Sequence, residues 1–417
     1  MFKPLHVLLD RIVRSGNLVF IDAAGLPHRF GDGSGTAVVA RIQDWRTELA
    51  LAADPHLALG AAYIEGRLQL VEGSAYDLVA LLMSNLGMNT LPRWAANIDA
   101  GRRTARRIMQ HNPAWRSLRN VHHHYDIDPR IYDLMLDADH QYSCAYFTPG
   151  ADLEAAQIAK KRHIAAKLML APGQRILDIG SGWGGLGLYL ARVGDGEVTG
   201  VTLSREQLKI ARERSWRAGL ANRVKFELED YRATKGPFHR VVSVGMFEHV
   251  GINHYQAFFD KVRDLLTDDG VALIHSIGRT DGPGFTNPFI SRYIFPGGYF
   301  PALSEVLPAI EQSGLVVGDV EILRLHYAET LRAWRERFMA RRAQAVAITG
   351  EHFARMWELY LAGSEASFRY QGLMVFQIQL AKRIDTLPLT RDYIYETESR
   401  LKRADEAHAE PPRMSGT

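Results

Sequence analysis

The 417-residue sequence contains a single cysteine, Cys144. One cysteine excludes a disulfide framework within the chain and a zinc site built from cysteines. No apolar run approaches the roughly 18–20 residues needed to span a bilayer. The first 16 residues are too short and too charged for a secretory signal. We therefore expect a cytoplasmic protein that is soluble or peripherally associated with the inner face of the membrane.

Charge is nearly balanced over the whole chain, with a formal net charge of +3, but it is uneven locally. Residues 100–120 contain six arginines and no acidic residue: Arg102, Arg103, Arg106, Arg107, Arg116 and Arg119. Three interpretations are open at this point: a solvated linker face, a nucleic-acid patch, or a surface for anionic lipid headgroups. No RNA-binding motif is present, so we expect no nucleic-acid partner.

Strand-like and helix-like segments alternate between residues 171 and 325. QRILDIG, GEVTGVTLS, RVKFELED, HRVVSVGMFEH, VALIHSIG and LVVGDVEIL read as strands, with amphipathic helical stretches between most of them. This alternation predicts an α/β fold with a parallel sheet covered by helices on both faces. Two helical patterns follow, at 328–346 and 351–370. The last strand-like segment, LMVFQIQLAKR, is expected as an antiparallel addition at the sheet edge.

The first part of the chain has a different pattern. NLVFIDAAG and TAVVARIQ resemble short strands joined by the glycine-rich HRFGDGSG, and AYDLVALLMSNLG resembles a helix. We expect a smaller N-terminal α+β domain at 1–98, a basic linker at 99–120 and the main domain at 121–390. Residues 391–417 are expected as a C-terminal tail whose last ten residues are disordered.

A glycine-rich turn follows the first strand of the main domain. LDIGSGWGG supplies Asp178, Gly180, Gly182 and Gly184. Glycines let a backbone turn sharply into a helix and approach a ligand closely. The spacing differs from the G-x-G-x-x-G that aims a helix at a pyrophosphate. An acid beside the turn suits S-adenosylmethionine, which carries an ammonium and a sulfonium; a purely structural turn is the alternative.

The end of the second strand lacks the acid that usually holds ribose hydroxyls. Its sequence, GVTLSREQ, offers Thr202, Leu203 and Gln207 as adenosine contacts. Asp230 and Tyr231 end the third strand, where they would cover the adenine by hydrogen bonding and stacking.

Cys144 admits several roles. A nucleophile needs a paired base and an electropositive setting. A metal site with the three histidines 122–124 is disfavoured, because consecutive side chains of an extended segment point in alternating directions. A buried core cysteine and a residue that shapes a neighbouring site are the other options.

Several motifs together resemble those of the cyclopropane fatty acid synthases, methyltransferases that include the mycolic acid cyclopropane synthases. The motifs are YSCAYF (142–147), LDIGSGWGG (177–185), GVTLSREQ (200–207), MFEHVG (246–251), HSIG (275–278), HYAETLRAW (326–334) and HHYD (123–126). The match covers about 115 to 383. The N-terminal part is similar to the extra domain of the members that act on phospholipids, including the stretch LGAAYIEG.

This resemblance implies a Rossmann-like class I methyltransferase sheet and transfer of a methyl group from S-adenosylmethionine to a cis double bond of a phospholipid acyl chain. Bound bicarbonate would deprotonate the resulting carbocation to close a cyclopropane ring. The resemblance places the anion near Cys144, Glu248, His275, Ile277 and Tyr327. It places Tyr142 and Ser143 at the cofactor and His124 and Tyr125 at the substrate.

An aromatic segment, FTNPFISRYIFPGGYF (285–300), is expected to form the lipid channel or a lid, with ordinary packing as the alternative. Its candidate substrate residues are Phe289, Tyr293, Phe295 and Tyr299. Aromatic faces stabilise a cation without trapping it. Glu248 follows an apolar strand, so burial should raise its proton affinity. It would act as the base itself or orient the anion.

The expected partner is an unsaturated phospholipid in a membrane surface, reached through the 102–119 arginines and exposed apolar residues. A homodimer is compatible with the sequence, which does not fix the oligomeric state. Competing functions are the same methyl transfer ending in a methylene or methyl branch, a methyltransferase for soluble small molecules, and a non-catalytic lipid- or RNA-binding module.

Overall fold

The computed structural model describes residues 1–86, 97–102, 104 and 127–409. These residues form two compact units, each assembled from distant parts of the chain. Unit 1 takes its described residues from Met1–Leu136, Gly278–Leu303 and Tyr327–Met374. Unit 2 takes its described residues from Asp137–Ile277, Ser304–His326 and 375–409. The contiguous domain boundaries expected from the sequence stay a prediction.

Unit 1 contains a four-stranded sheet. Its strands are β1 (Leu18–Ile21), β2 (Pro27–Phe30), β3 (Val38–Ile42) and β4 (Leu68–Glu72), in the order β2-β1-β3-β4. β1 is antiparallel to β2 and parallel to β3, and β3 is antiparallel to β4. The sequence predicted the α+β character but missed β2 and β4. Each of these two strands buries one residue, Phe30 or Leu68, so neither has the alternation that marks a half-buried strand.

The helices of the N-terminal part of unit 1 are Lys3–Ile12, Trp45–Ala53, Pro55–Ile64 and Ala75–Asn85. The last of them starts with a capping box, in which the Ser74 hydroxyl accepts from the Asp77 backbone N–H and the Asp77 carboxylate accepts from the Ser74 backbone N–H. The long helix Glu351–Tyr370 packs on both Pro55–Ile64 and Ala75–Asn85. The fold of unit 1 therefore joins residues nearly three hundred positions apart.

The later part of unit 1 differs from the prediction in one place. The helix expected at 328–346 is two helices, His326–Ala340 and Arg342–Thr349, separated at Arg341. Short helices also occur at Pro129–Asp133 and, as a π-helical turn, at Ile290–Ile294 within the aromatic segment. Across the described residues, none of the helices combines the length and the hydrophobicity needed to span a lipid bilayer.

Unit 2 is built on a seven-stranded sheet. Its strands are β5 (Arg175–Ile179), β6 (Glu197–Thr202), β7 (Val224–Leu228), β8 (Phe238–Val244), β9 (Leu266–Arg279), β10 (Val316–Ile322) and β11 (Leu373–Ala381). The order is β10-β11-β9-β8-β5-β6-β7. β5 to β9 pair in parallel, as predicted. β11 is antiparallel to β10, also as predicted.

The expected edge position of β11 is wrong. β10 is the edge strand, and β11 lies between β10 and β9. Nearly every residue of β11 is buried, as for a central strand covered on both faces. The order of elements along the chain does not reveal this insertion.

Helices cover both faces of the large sheet, which confirms the predicted α/β class for unit 2. They are Leu153–Lys167, Gly185–Gly194, Arg205–Arg217, Tyr255–Leu265 and Leu303–Ser313. Side chains such as Ile176, Leu190, Phe226 and Leu273 form a buried cluster between sheet and helices. Burial of such side chains is the main stabilising term for the layered arrangement.

The sequence analysis also missed a helix at Asp392–Ala409, the C-terminal helix. It packs on the 153–167 helix and buries Ile394 and Leu401. Arg162 pairs with Asp405 at 3.0 Å between the two helices. The segment expected as a C-terminal tail therefore begins as part of unit 2, and residues 410–417 lie outside the described residues.

Candidate functional site

The carboxyl ends of β5, β8 and β9 lie side by side at one edge of the large sheet. The register places Ile179 beside Ser243, Ser243 beside Ile274 and Val244 beside His275. The backbone N–H of Gly245 donates to the His275 carbonyl at 2.9 Å. The segments that follow the three strands therefore meet at the edge where parallel α/β sheets bind ligands.

The glycine turn after β5 has the left-handed backbone that favours glycine. Gly180 and Gly184 have φ of +84° and +82°, and a Cβ at either would lie within 3.0 Å of a neighbouring side chain, Met246 or Phe226. A Cβ at Gly182, with φ of +54°, would meet open space. The turn is thus closed on the protein side and open at Gly182, as a ligand cradle requires.

Asp178 is a buried acid beside this turn. It is 1% exposed, and its Oδ2 has no hydrogen-bond partner among the described residues. Burial raises the pKa of Asp178 to about 7, with the charge of Lys160 acting in the opposite direction. A buried carboxyl with an unsatisfied oxygen is suited to a cationic ligand group.

The second strand places its three candidate residues close together. The Thr202 hydroxyl donates to Oε1 of Gln207 at 3.2 Å, and both residues are buried, while Leu203 between them is half-buried. Farther along, the Asp230 carboxylate accepts from the Arg232 guanidinium at 2.6 and 2.8 Å. Tyr231 packs edge-on against Phe258. Asp230 is therefore already engaged by a cation on its own loop.

The segment containing Tyr142, Ser143 and Cys144 is held by the 153–167 helix. Gln157 Nε2 donates to the carbonyls of Gln141 and Ser143, each at 3.1 Å. The backbone N–H of Tyr146 donates to the Ala156 carbonyl at 3.1 Å. These contacts fix the backbone on both sides of Cys144.

Lys160, on the same helix, adds two contacts to this segment. Its Nζ donates to Gln141 Oε1 and to Ser143 Oγ, each at 2.8 Å. The buried Cys144 thiol donates to the Ala145 carbonyl at 3.3 Å. Tyr142 and Ser143 are half-buried. A buried core cysteine and a residue that shapes a neighbouring site both agree with this geometry, so the role of Cys144 stays a prediction.

Glu248 and His275 lie on adjacent segments at the sheet edge. Glu248 Oε1 accepts from the backbone N–H of Ile277 at 2.7 Å, while Oε2 is buried without a hydrogen-bond partner among the described residues. Burial raises the pKa of Glu248 to about 7 and lowers the pKa of His275 to about 3. His275 is therefore neutral, and Glu248 is poised between its two protonation states near neutral pH.

The tautomer of His275 follows from its neighbour on β11. The amide nitrogen of Gln377 donates to Nδ1 of His275 at 3.1 Å. Since Nδ1 accepts this hydrogen bond, the ring proton lies on Nε2. His275 can donate a hydrogen bond from Nε2 without carrying a charge.

The remaining predicted residues belong to unit 1 or lie outside the described residues. Tyr327 packs against Phe368 with ring centroids 4.9 Å apart, Phe289 packs against Tyr293, and Phe295 packs against Tyr360. Tyr299 is fully buried.

His124, Tyr125 and the arginines at 103, 106, 107, 116 and 119 lie outside the described residues. Arg102 pairs with Asp54 at 2.6 Å and with Asp99 at 3.5 Å.

Sequence reasoning missed the residues that support this edge, namely Gln141, Gln157, Lys160 and Gln377. Lysine and glutamine are usually exposed, so composition gives no reason to place them in a site. The one signal was the occurrence of Gln377 within the otherwise apolar LMVFQIQLA. Among the described residues, no group of three or more His, Cys, Asp or Glu side chains is arranged to hold a metal ion.

Comparison with known proteins gives matches along the main part of the chain. The family model for mycolic acid cyclopropane synthetase matches residues 112–378. A probable fatty acid methyltransferase of Pseudomonas putida is 42% identical over 288 residues, covering 66% of this chain and 73% of that protein. The cyclopropane-fatty-acyl-phospholipid synthase of Escherichia coli K12 is 40% identical over 262 residues, covering 63% and 67%.

Solved structures show the same likeness. Mycolic acid cyclopropane synthase CmaA1, complexed with SAH and CTAB, aligns with a TM-score of 0.60 and 33% identity, covering 64% of this chain and 98% of that one. Cyclopropane synthase MmaA2 of Mycobacterium tuberculosis aligns with a TM-score of 0.61 and 32% identity, covering 65% and 99%. Coclaurine N-methyltransferase, at 20% identity and a TM-score of 0.62, shares the fold.

Proposed function

Because this chain belongs to the mycolic acid cyclopropane synthetase family, we propose that it converts the cis double bond of an unsaturated phospholipid acyl chain into a cyclopropane ring. It is an S-adenosylmethionine-dependent methyltransferase of the cyclopropane fatty acid synthase type. The phospholipid substrate is supported by the name of the Escherichia coli relative. The observation that carries the proposal is that Asp178 and His275 lie on parallel strands of one sheet and that Glu248, after β8, bonds to the Ile277 backbone of β9.

The residues around the glycine turn fit S-adenosylmethionine. When bound, this cofactor supplies an electrophilic methyl group. The unsatisfied Oδ2 of Asp178 is the acceptor for a cationic group, and pairing would return the pKa of Asp178 toward its usual range. The open side of Gly182 admits a ligand close to the backbone. The other proposed contacts are Tyr142, Ser143, Gly180, Gly184, Thr202, Leu203, Gln207, Asp230 and Tyr231.

The aromatic residues of unit 1 are proposed to bind the acyl chain. An alkene is a weak nucleophile, so the rate depends on its alignment in a pocket that excludes water. Methyl addition leaves a carbocation, which aromatic faces stabilise and which water would convert to an alcohol. Phe289, Tyr293, Phe295 and Tyr299 are the proposed lining. His124 and Tyr125 are proposed at the same substrate on the resemblance alone.

Ring closure requires loss of a proton from the added methyl group. We assign this step to bound bicarbonate, held near the backbone of Cys144 and by Glu248 and His275; Tyr327 is proposed as a further contact on the resemblance alone. Glu248 in its protonated form donates from Oε2, and His275 donates from Nε2 without adding charge. Ile277 contributes by holding Glu248 in place through its backbone N–H. Both donors are fixed before a ligand arrives, which favours preorganised binding of an anion.

The proposed location is the cytoplasmic face of a membrane, where the protein docks peripherally on the surface that holds its lipid. The arginines between 102 and 119 would supply attraction to anionic headgroups. Arg102 contributes less than its charge suggests, because Asp54 and Asp99 partly offset it. Equal binding to neutral and anionic vesicles, without salt dependence, would remove this electrostatic component.

A methylene- or methyl-branched product is the second candidate, favoured by the likeness to the Pseudomonas putida fatty acid methyltransferase. It shares the methyl transfer and differs in the fate of the cation, which loses another proton to give a methylene branch or captures water to give a hydroxylated methyl branch. A methyltransferase for soluble small molecules is less well supported, since the relatives named above are lipid enzymes.

The test is incubation with methyl-labelled S-adenosylmethionine and vesicles of cis-unsaturated phospholipid, followed by NMR and mass analysis of the acyl chains. We expect label in a cyclopropane methylene, and none with saturated phospholipid as the control. If the NMR spectra show vinylidene signals instead, the product is a methylene branch and not a cyclopropane ring. Absence of any labelled lipid, with the cofactor bound, would overturn the lipid substrate.

A further inference from the structure

Lys160 is a lysine whose ammonium lies inside unit 2. It is 1% exposed, and its two hydrogen-bond acceptors, Gln141 Oε1 and Ser143 Oγ, are both neutral. Within the described residues it makes no ion pair. The next lysine, Lys161, pairs with Asp139 at 2.5 Å, so the lack of an ion pair at Lys160 is not shared by its neighbour on this helix.

A buried charge without a counter-ion is costly, and its retention calls for a physical reason. Burial lowers the pKa of Lys160 to about 8, while Asp137 and Asp139 raise it and Lys161 lowers it. Lys160 therefore carries a positive charge near neutral pH. Its two neutral acceptors orient the ammonium, and Asp137 and Asp139 compensate its charge only in part, from beyond ion-pair distance.

The charge of Lys160 acts on three of the residues at the candidate site. It lowers the pKa of Asp178 against the effect of burial, it lowers the pKa of His275, and it interacts electrostatically with Cys144. Lys167 also acts on His275, but Asp319 and Glu321 pair with Lys167. Lys160 thus adds positive electrostatic potential at the positions of these three residues.

The proposed donors to the anion bring no positive charge of their own. His275 is neutral because of burial, and Glu248 alternates between a neutral and a negative form. An anion entering a low-dielectric pocket with only these two groups would face an uncompensated desolvation cost. A fixed cation nearby raises the local concentration of anions and lowers that cost.

We propose that Lys160 is the positive charge of the anion site, a positioning residue that favours bicarbonate through its field and holds the 141–144 segment against which the anion binds. This inference rests on the proposed function. A purely structural role, in which Lys160 only fastens Gln141 and Ser143, is the alternative that the experiment must separate.

Two substitutions separate charge from hydrogen bonding. Lys160→Gln removes the charge and keeps an N–H donor for Gln141 or Ser143. Lys160→Arg keeps the charge. Lys209→Gln, at an exposed position on the 205–217 helix, is the matched control for loss of one positive charge.

The measurement is binding of ¹³C-labelled bicarbonate to the SAH-bound protein, followed by NMR, with SAH affinity measured by calorimetry. We expect Lys160→Gln to weaken bicarbonate binding about tenfold or more, as for a unit charge acting through a protein-like dielectric. The same variant should lose less SAH affinity than bicarbonate affinity, since the Lys160 charge reaches the cofactor site through Asp178 and Ser143 but is not its proposed binding group. Lys160→Arg should recover part of the bicarbonate affinity, and Lys209→Gln should match the wild type.

A second measurement compares the pH dependence of bicarbonate binding in the wild type and in Lys160→Arg. Bicarbonate affinity of the wild type should fall as pH rises from about 7 to 9, as Lys160 loses its proton. The groups facing Lys160 are Asp137, Asp139, Lys161 and Cys144, and Asp178 and His275 lie within its field. Glu248, whose pKa is raised to about 7, also loses its proton in this range and lowers the affinity. Lys160→Arg separates the two effects, because its guanidinium keeps the charge to higher pH and its profile should retain only the fall due to Glu248.

Three outcomes overturn the inference. One is wild-type bicarbonate affinity in a folded Lys160→Gln protein. Another is a pH profile of the wild type that matches the profile of Lys160→Arg over that range. The third is a wild type that converts lipid with no bicarbonate binding, which also removes bicarbonate from the proposed function. Loss of lipid conversion in the wild type with bicarbonate binding intact would instead point to failure of the proposed substrate alone.

Discussion

Glu248 and Ile277 are joined by a hydrogen bond of 2.7 Å, from the Ile277 backbone N–H to Oε1 of the carboxyl group. The bond ties the turn after β8 to the end region of β9. It anchors one carboxyl oxygen and leaves the other, Oε2, buried without a hydrogen-bond partner among the described residues. Glu248 is therefore oriented by the protein and still able to bond a ligand.

Substitution of Glu248 tests whether it donates a proton in a hydrogen bond or removes one. If the protonated form donates to the anion, Glu248→Gln keeps the donor, and we expect about a tenfold loss of kcat. Glu248→Ala removes the donor, and we expect a loss of about 10²–10³-fold. Steady-state kinetics on vesicles at pH 7 check this, with SAH affinity as the measure of an intact site. Equal, large losses in both variants would instead assign the base to Glu248 itself.

Asp178 predicts a pH dependence of stability. Burial raises the pKa of Asp178 to about 7, above the unfolded value of 3.8. The folded state then binds the proton more tightly, so the free energy of unfolding falls as pH rises from about 4 to 7 and levels above that. Relative to Asp178→Asn, the wild type should lose about 2–4 kcal/mol across this window.

Urea unfolding without cofactor, at several pH values, measures this difference between the wild type and Asp178→Asn. Asp195→Asn is the control, because Asp195 is exposed and has a left-handed backbone that asparagine accepts. The free energy of unfolding of Asp195→Asn should change with pH in the same way as that of the wild type. A constant difference between the wild type and Asp178→Asn from pH 4 to 8 would contradict the buried, proton-binding state.

The C-terminal helix is expected to stabilise unit 2. Leu401 belongs to the same buried cluster as Ile164, Leu190 and Phe226. Leu401→Ala should lower the free energy of unfolding by about 2–4 kcal/mol, the range for a large-to-small change in a core. Tyr395→Ala, at a position 58% exposed on the same helix, should change it by less than about 1 kcal/mol. Urea denaturation of both variants makes the comparison, and similar effects would argue against a docked helix.

The sequence predicted the parts of the fold that depend on local patterns. β5 to β9 have apolar runs bounded by turns and alternate with amphipathic helices, and the glycine turn stands between a strand and a helix. Those signals follow from side-chain periodicity and from the positive φ of Gly180 and Gly184. The predictions based on these signals are confirmed because each signal depends on residues close together in the chain.

The missed features depend on contacts far apart in the chain. The C-terminal helix buries Ile394 and Leu401, which are seven positions apart in a mostly polar segment, so its amphipathic signal is weak. β11 is inserted between β10 and β9, and chain order does not encode this. Lys160 is buried because Gln141 and Ser143 return to the helix that carries it. Such pairings appear only once the fold is known.

The glycine turn allows fold and ligand binding to be tested separately. A Cβ at Gly184 would lie 2.7 Å from Phe226 and 3.0 Å from Ala211. Gly184→Ala should therefore destabilise unit 2 by about 2–4 kcal/mol, from overpacking and from the strained backbone. A Cβ at Gly182 meets open space, so Gly182→Ala should cost only the backbone strain of about 1–2 kcal/mol.

Gly182→Ala should lower SAH affinity more than Gly184→Ala does, which is the opposite of the order expected for stability. In Gly182→Ala the added methyl occupies the open side of the turn, where the cofactor is proposed to approach the backbone, and we expect affinity to fall about tenfold or more. Any Gly184→Ala protein that folds should bind SAH more tightly than Gly182→Ala does. Calorimetric titration with SAH, next to urea unfolding of each variant, gives both quantities. Wild-type affinity in Gly182→Ala would place the cofactor away from this face of the turn.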